Sequence, residues 1–475
     1  MVGFIRYSIG LTILHASVVP MPEDDSDTDS VGGWNVEPQE SGFVAFWPHE
    51  EALTGAEFAT AVSAWVGATA PIEPIETDDD AIWAFGVQIP GVESGFVIWC
   101  EPARELSERD RSQIGEEASR CPWVIRLQTI LSIEEPAEEY FMSVGMLGGA
   151  LPDVVAILDV ITGEVYPRQR IDRDFLAEDA GPIERLLWRL GRYEALPDGD
   201  QNLVLLGTHG LARCGIPELE MSEVPNELAE SAAVLLHTMA GLLLENDMPE
   251  PGEIIEVGDE LSVVLQPIAV VSEFIADGSA GSEPWRVQAR AHGLSEFALA
   301  RAAICASQTV GRFRPLWVWP REVVERIAGG NAVLYMTQHS VRSTERRARS
   351  TWGLFATAFA SLTRTGNPQW QQIARTGFTV QAPVPGSNEP RIEQSWFAVE
   401  RIDHESLTIR VVDRPITRPD LDPGSQLTIL TTAVTDWRVE IGGEIYDPDD
   451  VDALLVAVDR VRGVDDDSSK SEAPT

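Results

Sequence analysis

The stretch Phe43-Val44-Ala45-Phe46-Trp47 is an unbroken apolar run, short and rich in strand-forming residues, and it reads as a β-strand. Outward from it, Thr54 to Val66 has helical spacing, and Ile82 to Ile89 and Gly95 to Trp99 read as two strands. Ser107 to Ser119 reads as a second helix and Trp123 to Leu131 as a further strand. This β-α-β-β-α-β order predicts an antiparallel sheet with helices on one face. Upstream, residues 21–40 are acidic and Ser-rich without periodic apolar positions, a composition expected to stay disordered.

Downstream, Val154 to Val160 and Glu164 to Tyr166 are expected to form a hairpin turned by Thr162-Gly163. A helix is expected from Pro182 to Arg192 and a strand from Leu203 to Leu206. A long helix is expected from Asn226 to Leu244, with Pro225 at its start and Leu228, Ala232, Leu235, Met239 and Leu242 on one face. Residues 245–260, rich in Glu, Pro and Gly, read as an interdomain linker. Beyond them come a strand at Leu261 to Pro267, a helix near Leu294 to Ser307 and a helix from Ser343 to Leu362. Short β runs follow at 377–382, 393–402, 406–411, 426–431 and 435–440, then a helix from Val451 to Val461.

The expected protein is therefore α+β. It has an N-terminal antiparallel sheet with helices on one face (41–248), a middle α+β domain with an Arg-rich helix (260–365) and a small β-rich C-terminal module (366–462). Residues 1–40 would be a disordered acidic leader, or begin upstream of a true start at Met21, and 463–475 a disordered tail. The first twenty residues have the outline of a weak signal peptide, Arg6 preceding an apolar stretch interrupted by Ser8, Thr12, His15 and Ser17.

The chain has 475 residues, and its 76 acidic against 35 basic residues give a net charge of −41, which repels phosphate backbones and anionic membranes. Nucleic acid and membrane are accordingly not expected as partners. Only Lys470 among the basic residues is a lysine. Residues 301–388 reverse the sign, with eleven arginines against three glutamates. That segment either docks on acidic neighbours in the same molecule or offers a patch to an acidic ligand. Salt adaptation is a third source of the acidity. Cys100, Cys121, Cys214 and Cys305 lie far apart with no C-x-x-C pair, so reduced, buried thiols are expected rather than a zinc or redox site. No apolar run reaches the ~18–20 residues of a bilayer span.

The densest polar cluster follows a strand: Thr208-His209-Gly210-Leu211-Ala212-Arg213-Cys214-Gly215-Ile216-Pro217-Glu218-Leu219-Glu220. A functional reading gives His209 proton transfer, Arg213 an anion clamp and Glu218 the role of its partner, with Thr208 beside them. The structural alternative has these side chains tying a tight turn together, Cys214 serving as core. Arg342, Arg346 and Arg349 form a basic face on the late helix. Trp396, Arg414, Asp436 and Trp437 are a candidate face of the C-terminal module, or the packing of its small core. His237 reads as a surface or interface histidine and His49 as a turn residue. No metal-spaced histidine pair, P-loop, G-x-S-x-G or calcium loop occurs. No cofactor or metal is expected.

Two resemblances follow from these residues. Residues 369–454, with Trp396, Asp413 to Pro415, Gly424 and Asp436-Trp437, resemble the bacterial module called domain of unknown function 2314. The Thr208-His209-Gly210-Leu211, Arg213-Cys214-Gly215 and Pro217 to Glu220 runs, with Tyr335 to Trp352, resemble a larger companion, domain of unknown function 4026. The resemblance implies a cytoplasmic bacterial protein with no catalytic residue to carry over; by association it suggests an immunity or antitoxin role. The expected function is a non-enzymatic interaction or sequestering protein for a basic partner. The competing expectation is an enzyme or small-anion binder that uses the Thr208 to Glu220 loop.

Overall fold

In the computed structural model the described residues are 34, 36–67, 72–76, 81–103, 114–178, 180–197, 199–258, 260–292, 294–307, 318–329, 334–335, 338–365, 370–380, 391–412, 414, 418 and 420–470. They form two compact units, one drawn from residues 1–177 and 182–340, the other from 178–181 and 341–475. Both mix helices with largely antiparallel sheets, so the chain is α+β.

The first sheet of unit one comprises β1 (Ser41–Trp47), β2 (Ile72–Pro74), β3 (Trp83–Gln88), β4 (Gly95–Pro102), β5 (Trp123–Thr129), β6 (Ala156–Asp159) and β7 (Val165–Pro167). Every pairing is antiparallel, in the order β2-β3-β4-β5-β1-β6-β7. The apolar run Phe43 to Trp47 thus sits inside the sheet, between β5 and β6. Phe43, Ala45 and Trp47 bury on one face with α1 (Gly55–Val66) and α2 (Pro136–Ala150), while Val44 and Phe46 bury on the other. Helix α1 starts at a capping box, Thr54 Oγ1 accepting from the Glu57 amide and the Glu57 carboxylate accepting from the Thr54 amide, and ends at Gly67.

Helix α2 was not foreseen. Gly145, Gly148 and Gly149 lower its intrinsic helicity, and it is apolar on most of its circumference, so periodicity is weak. Its glycines serve close packing: a Cβ at Gly149 would collide with the Trp65 indole of α1. The expected helix at Ser107 to Ser119 lies mostly outside the described residues. The Thr162-Gly163 hairpin joins β6 to β7 as expected, and a short helix, α3 (Arg168–Asp174), follows.

The second sheet comprises β8 (Arg189–Glu194), β9 (Leu203–His209), β10 (Glu218–Pro225), β11 (Ile254–Gly258), β12 (Leu261–Pro267) and β13 (Arg301–Ala306), ordered β11-β12-β13-β10-β9-β8. Only β10 and β13 run parallel among these pairings. Helix α4 (Ala229–Glu245) packs Leu235, Leu236 and Met239 on one face with Val204, Leu206 and Leu219. Asn226–Glu245 is also long and apolar enough to cross a membrane, and here one side of it is core. Helix α5 (Glu283–Ala291) covers the other face with Trp285 against Tyr193, Leu205 and Phe297. Helix α6 (Arg321–Ala328) adds Val323 and Val324 to the main core.

Three expectations are corrected here. Residues 189–194 are a strand rather than the end of a helix from Pro182, and 301–306 a strand rather than part of a helix from Leu294. Short apolar runs fit either periodicity, and sheet neighbours decide. Residues 245–260 are not an interdomain linker, because they contain β11 and strands on both sides of them share one sheet.

Unit two has the antiparallel sheet β14 (Trp370–Val380), β15 (Arg391–Ile402), β16 (Ser406–Val411), β17 (Gln426–Leu430), β18 (Val434–Ile441) and β19 (Glu444–Tyr446), ordered β17-β16-β15-β14-β18-β19. Its core joins Phe397, Val399, Leu407, Ile409 and Trp437 to Phe355 and Leu362 of α8 (Trp352–Thr365) and Leu454 of α9 (Val451–Lys470). The single Arg-rich helix expected from Ser343 to Leu362 is two, α7 (Gln338–Ser350) and α8. The break is at Thr351, whose Oγ1 donates to the Arg347 carbonyl at 2.6 Å and accepts from Trp437 Nε1 at 3.1 Å.

Candidate functional site

The polar cluster Thr208 to Glu220 occupies the turn between β9 and β10. Gly210, at φ 122°, reverses the chain after His209, a 3-10 turn runs from Leu211 to Cys214, and Gly215 at φ 75° returns it to β10. Such a tight return leaves backbone amides without partners, and Glu218 supplies them. Its Oε1 accepts from the Gly210 amide at 2.7 Å and the Ala212 amide at 3.2 Å, and its Oε2 accepts from Thr208 Oγ1 at 2.7 Å. Thr208 Oγ1 in turn accepts from the Leu219 amide at 2.7 Å. Thr208, Arg213 and Glu218 are all buried.

Arg213 does not pair with Glu218. Its Nη2 reaches Asp159 at the end of β6, 3.0 Å from Oδ2 and 3.3 Å from Oδ1, and its guanidinium lies 5.4 Å from the Tyr140 ring centroid. Asp159 also accepts from Tyr140 Oη at 3.0 Å, Thr162 Oγ1 at 2.8 Å and the Ile161 amide at 2.9 Å. Tyr140 Oη and Tyr166 Oη are 2.7 Å apart. Burial is the largest influence on Arg213 and opposes its charge, but the charge and hydrogen bond of Asp159, together with Tyr140 and Cys214, outweigh it and hold the guanidinium above its ordinary value. Burial drives the Tyr140 phenol well up, and the Asp159 charge adds to this, so it stays a donor. The arrangement joins the two sheets of unit one through a fully enclosed ion pair.

His209 faces a different set of groups. It stands opposite Arg189 in the β8–β9 ladder, and burial depresses its basicity against the pull of Glu218, with Arg189 and Arg301 adding to the depression. Its Nδ1 has no hydrogen-bond partner among the described residues. On the same sheet, Glu220 accepts from Arg301 Nε at 2.6 Å and Arg286 Nη1 at 3.2 Å, and pairs with Arg286 Nη2 as well. Burial would raise the Glu220 carboxyl, but these two arginines hold it below the usual carboxylate range. Tyr193 Oη donates to Glu296 at 3.3 Å beside them. Asp159, Tyr140, Arg286 and Arg301 were not singled out from the sequence. The i, i+2 pair Glu218 and Glu220, both on one face of a strand, is the local signal that buried cations lay nearby.

The remaining candidates have neighbours of their own. Arg342 and Arg349 are exposed and Arg346 half-buried, Arg349 lying 3.6 Å from Glu345; the neighbouring Arg347 is the buried one, paired with Asp449. Trp396 and Asp436 stand in register on either side of Arg375 of β14, and the Arg438 guanidinium lies 4.9 Å from the Trp396 ring centroid. Trp437 points the other way, into the core, and Arg414 is exposed and paired with Asp422. Asp413 and Pro415 lie outside the described residues. His49 Nε2 is 3.0 Å from Asp153. His237 meets Trp188 Nε1 at 3.2 Å and Arg185 Nη2 at 3.0 Å, and burial, then Arg185, push it down to about 3. The four cysteines are buried and unpaired by disulfides. Among the described residues, no group of three or more His, Cys, Asp or Glu could hold a metal ion.

No curated protein and no solved structure matches the chain. Residues 194–292 match the family model described as Protein of unknown function (DUF4026) C-terminal. The matched stretch runs from the end of β8 to the end of α5 and contains Thr208, His209, Arg213, Glu218, Glu220 and Arg286, so the resemblance to that family rests on this part of the second sheet.

Proposed function

We propose that this chain is a non-enzymatic, cytoplasmic bacterial interaction protein that holds a basic protein partner, in the manner of an immunity or sequestering factor. The observation that supports it most is how the Thr208 to Glu220 turn uses its polar groups. Thr208 and Glu218 are engaged with each other, Glu218 also with the amides of Gly210 and Ala212, and Arg213 with Asp159, inside the protein, rather than converging on a reacting group. With a net charge of −41, the field around the molecule accelerates encounter with cations and rejects phosphate polymers. A unit-two relationship to domain of unknown function 2314, on Trp396, Gly424 and Asp436-Trp437, belongs to the same reading. Affinity capture from a bacterial lysate at moderate salt should retain a basic protein stoichiometrically and release it as salt is raised. An empty capture by well-folded bait counts against it.

A small-anion site at His209 is a second reading, supported by the unpartnered Nδ1 beside Arg189. It requires that carboxylate or phosphate ligands raise the melting temperature of the protein and leave that of His209→Ala unchanged.

A further inference from the structure

We propose that the loop carrying Ile130 and Ile133 is the face on which the basic partner docks, an apolar knob within an acidic rim. This rests on the interaction reading above and names its surface. The loop joins β5 to α2 and lies beside the β3–β4 turn. Ile130 is 51% and Ile133 61% exposed, while Leu131 between them is buried. Glu93, Glu134, Glu135 and Glu138 are exposed on the same two segments. Residues 89–98 and 129–139 contain no arginine or lysine.

The two segments are held together by one buried side chain. Glu139 accepts from Ser94 Oγ at 2.6 Å and from the Ser132 amide at 2.6 Å, with the Ser94 amide at 3.3 Å. Thr129 Oγ1 donates to the Gly95 carbonyl at 3.0 Å. Ile133 further lies over Gly215, where an added Cβ would come within 3.2 Å of its Cγ1. A knob fixed in this way loses little conformational freedom on binding, so its apolar area is available for affinity. The rim selects the occupant. A surface with an apolar hollow ringed by Arg or Lys is complementary in both respects, whereas a second copy of this chain would set glutamates against glutamates.

The test uses the full chain and two synthetic peptides of equal charge, one alternating Arg and Leu, the other Arg and Ser, titrated calorimetrically at moderate salt. The Arg–Leu peptide should bind about tenfold more tightly, a difference of about 1.4 kcal/mol. In the double variant I130S/I133S that advantage should vanish while the Arg–Ser affinity stays the same. Both side chains are more than half exposed, so the unfolding midpoint should move little, and measuring it separates a lost contact from a lost fold. An Arg–Leu advantage that survives in the variant overturns the proposal, as does equal binding of the two peptides, which leaves the charge reading standing. Failure of both peptides to bind overturns that reading and this proposal together.

Discussion

Arg213 and Asp159, 54 residues apart, meet where neither is reached by solvent, and their contact ties the turn after β9 to the end of β6. Enclosed pairs of this kind contribute through their completeness: removing one member strands the other charge in a medium that cannot solvate it. Asp159→Asn should therefore lower the unfolding free energy by about 3–5 kcal/mol. The double variant Asp159→Leu/Arg213→Met, with no charge left to strand, should lose less than the sum of the single changes. Urea denaturation of the wild type, Asp159→Asn, Asp159→Leu, Arg213→Met and the double variant checks both statements.

His237 gives the stability a pH dependence whose sign follows from its surroundings. Its imidazole is pushed down to about 3, by burial first and by Arg185 second, whereas the unfolded chain takes up its proton near the ordinary value of about 6.5. Between these values the unfolded state binds the extra proton, so acidification favours unfolding, by up to about 1.4 kcal/mol per pH unit from this group. His237→Gln should flatten that part of the stability curve between about pH 6 and pH 4, as read from denaturation midpoints across the range.

Gly210 is a third test. At φ 122° it has a backbone conformation hostile to other residues, and a Cβ there would collide with the Leu187 carbonyl oxygen. Gly210→Ala should cost at least about 1–3 kcal/mol, the range for strained backbone. It should also disturb the Glu218 contacts to the amides of Gly210 and Ala212. Hydrogen exchange should show faster exchange of those two amides, and unchanged protection would count against this account.

The sequence carried the parts of this fold that have local causes. The strand at Ser406–Val411 matches its run of alternating residues, the Thr162-Gly163 turn makes its hairpin, and Pro225 stands just ahead of α4. What escaped is non-local. The run Arg301-Ala302-Ala303-Ile304-Cys305-Ala306 is helical by propensity and becomes a strand because β10 and β12 flank it. Helix α2 hides behind glycines that make room for distant side chains, Gly149 for Trp65 and Gly148 for Ile171. In the candidate turn, Thr208, Arg213 and Glu218 were visible as a polar cluster. The partner of Arg213 was not, because a pair so distant in the chain leaves no mark in either neighbourhood.

The parallel pairing of β10 with β13 has a consequence for what can be excised from this protein. The stretch that matches the family model ends at residue 292, before Arg301, so a fragment cut at its boundaries would lack the strand between β10 and β12. Two ladders would lie open at once, and Glu220 would keep Arg286 but lose Arg301. The family match and the sheet are thus bounded differently in this chain: the matched segment is a portion of one sheet, and a piece that includes it and keeps both of these ladders must reach at least through Ala306.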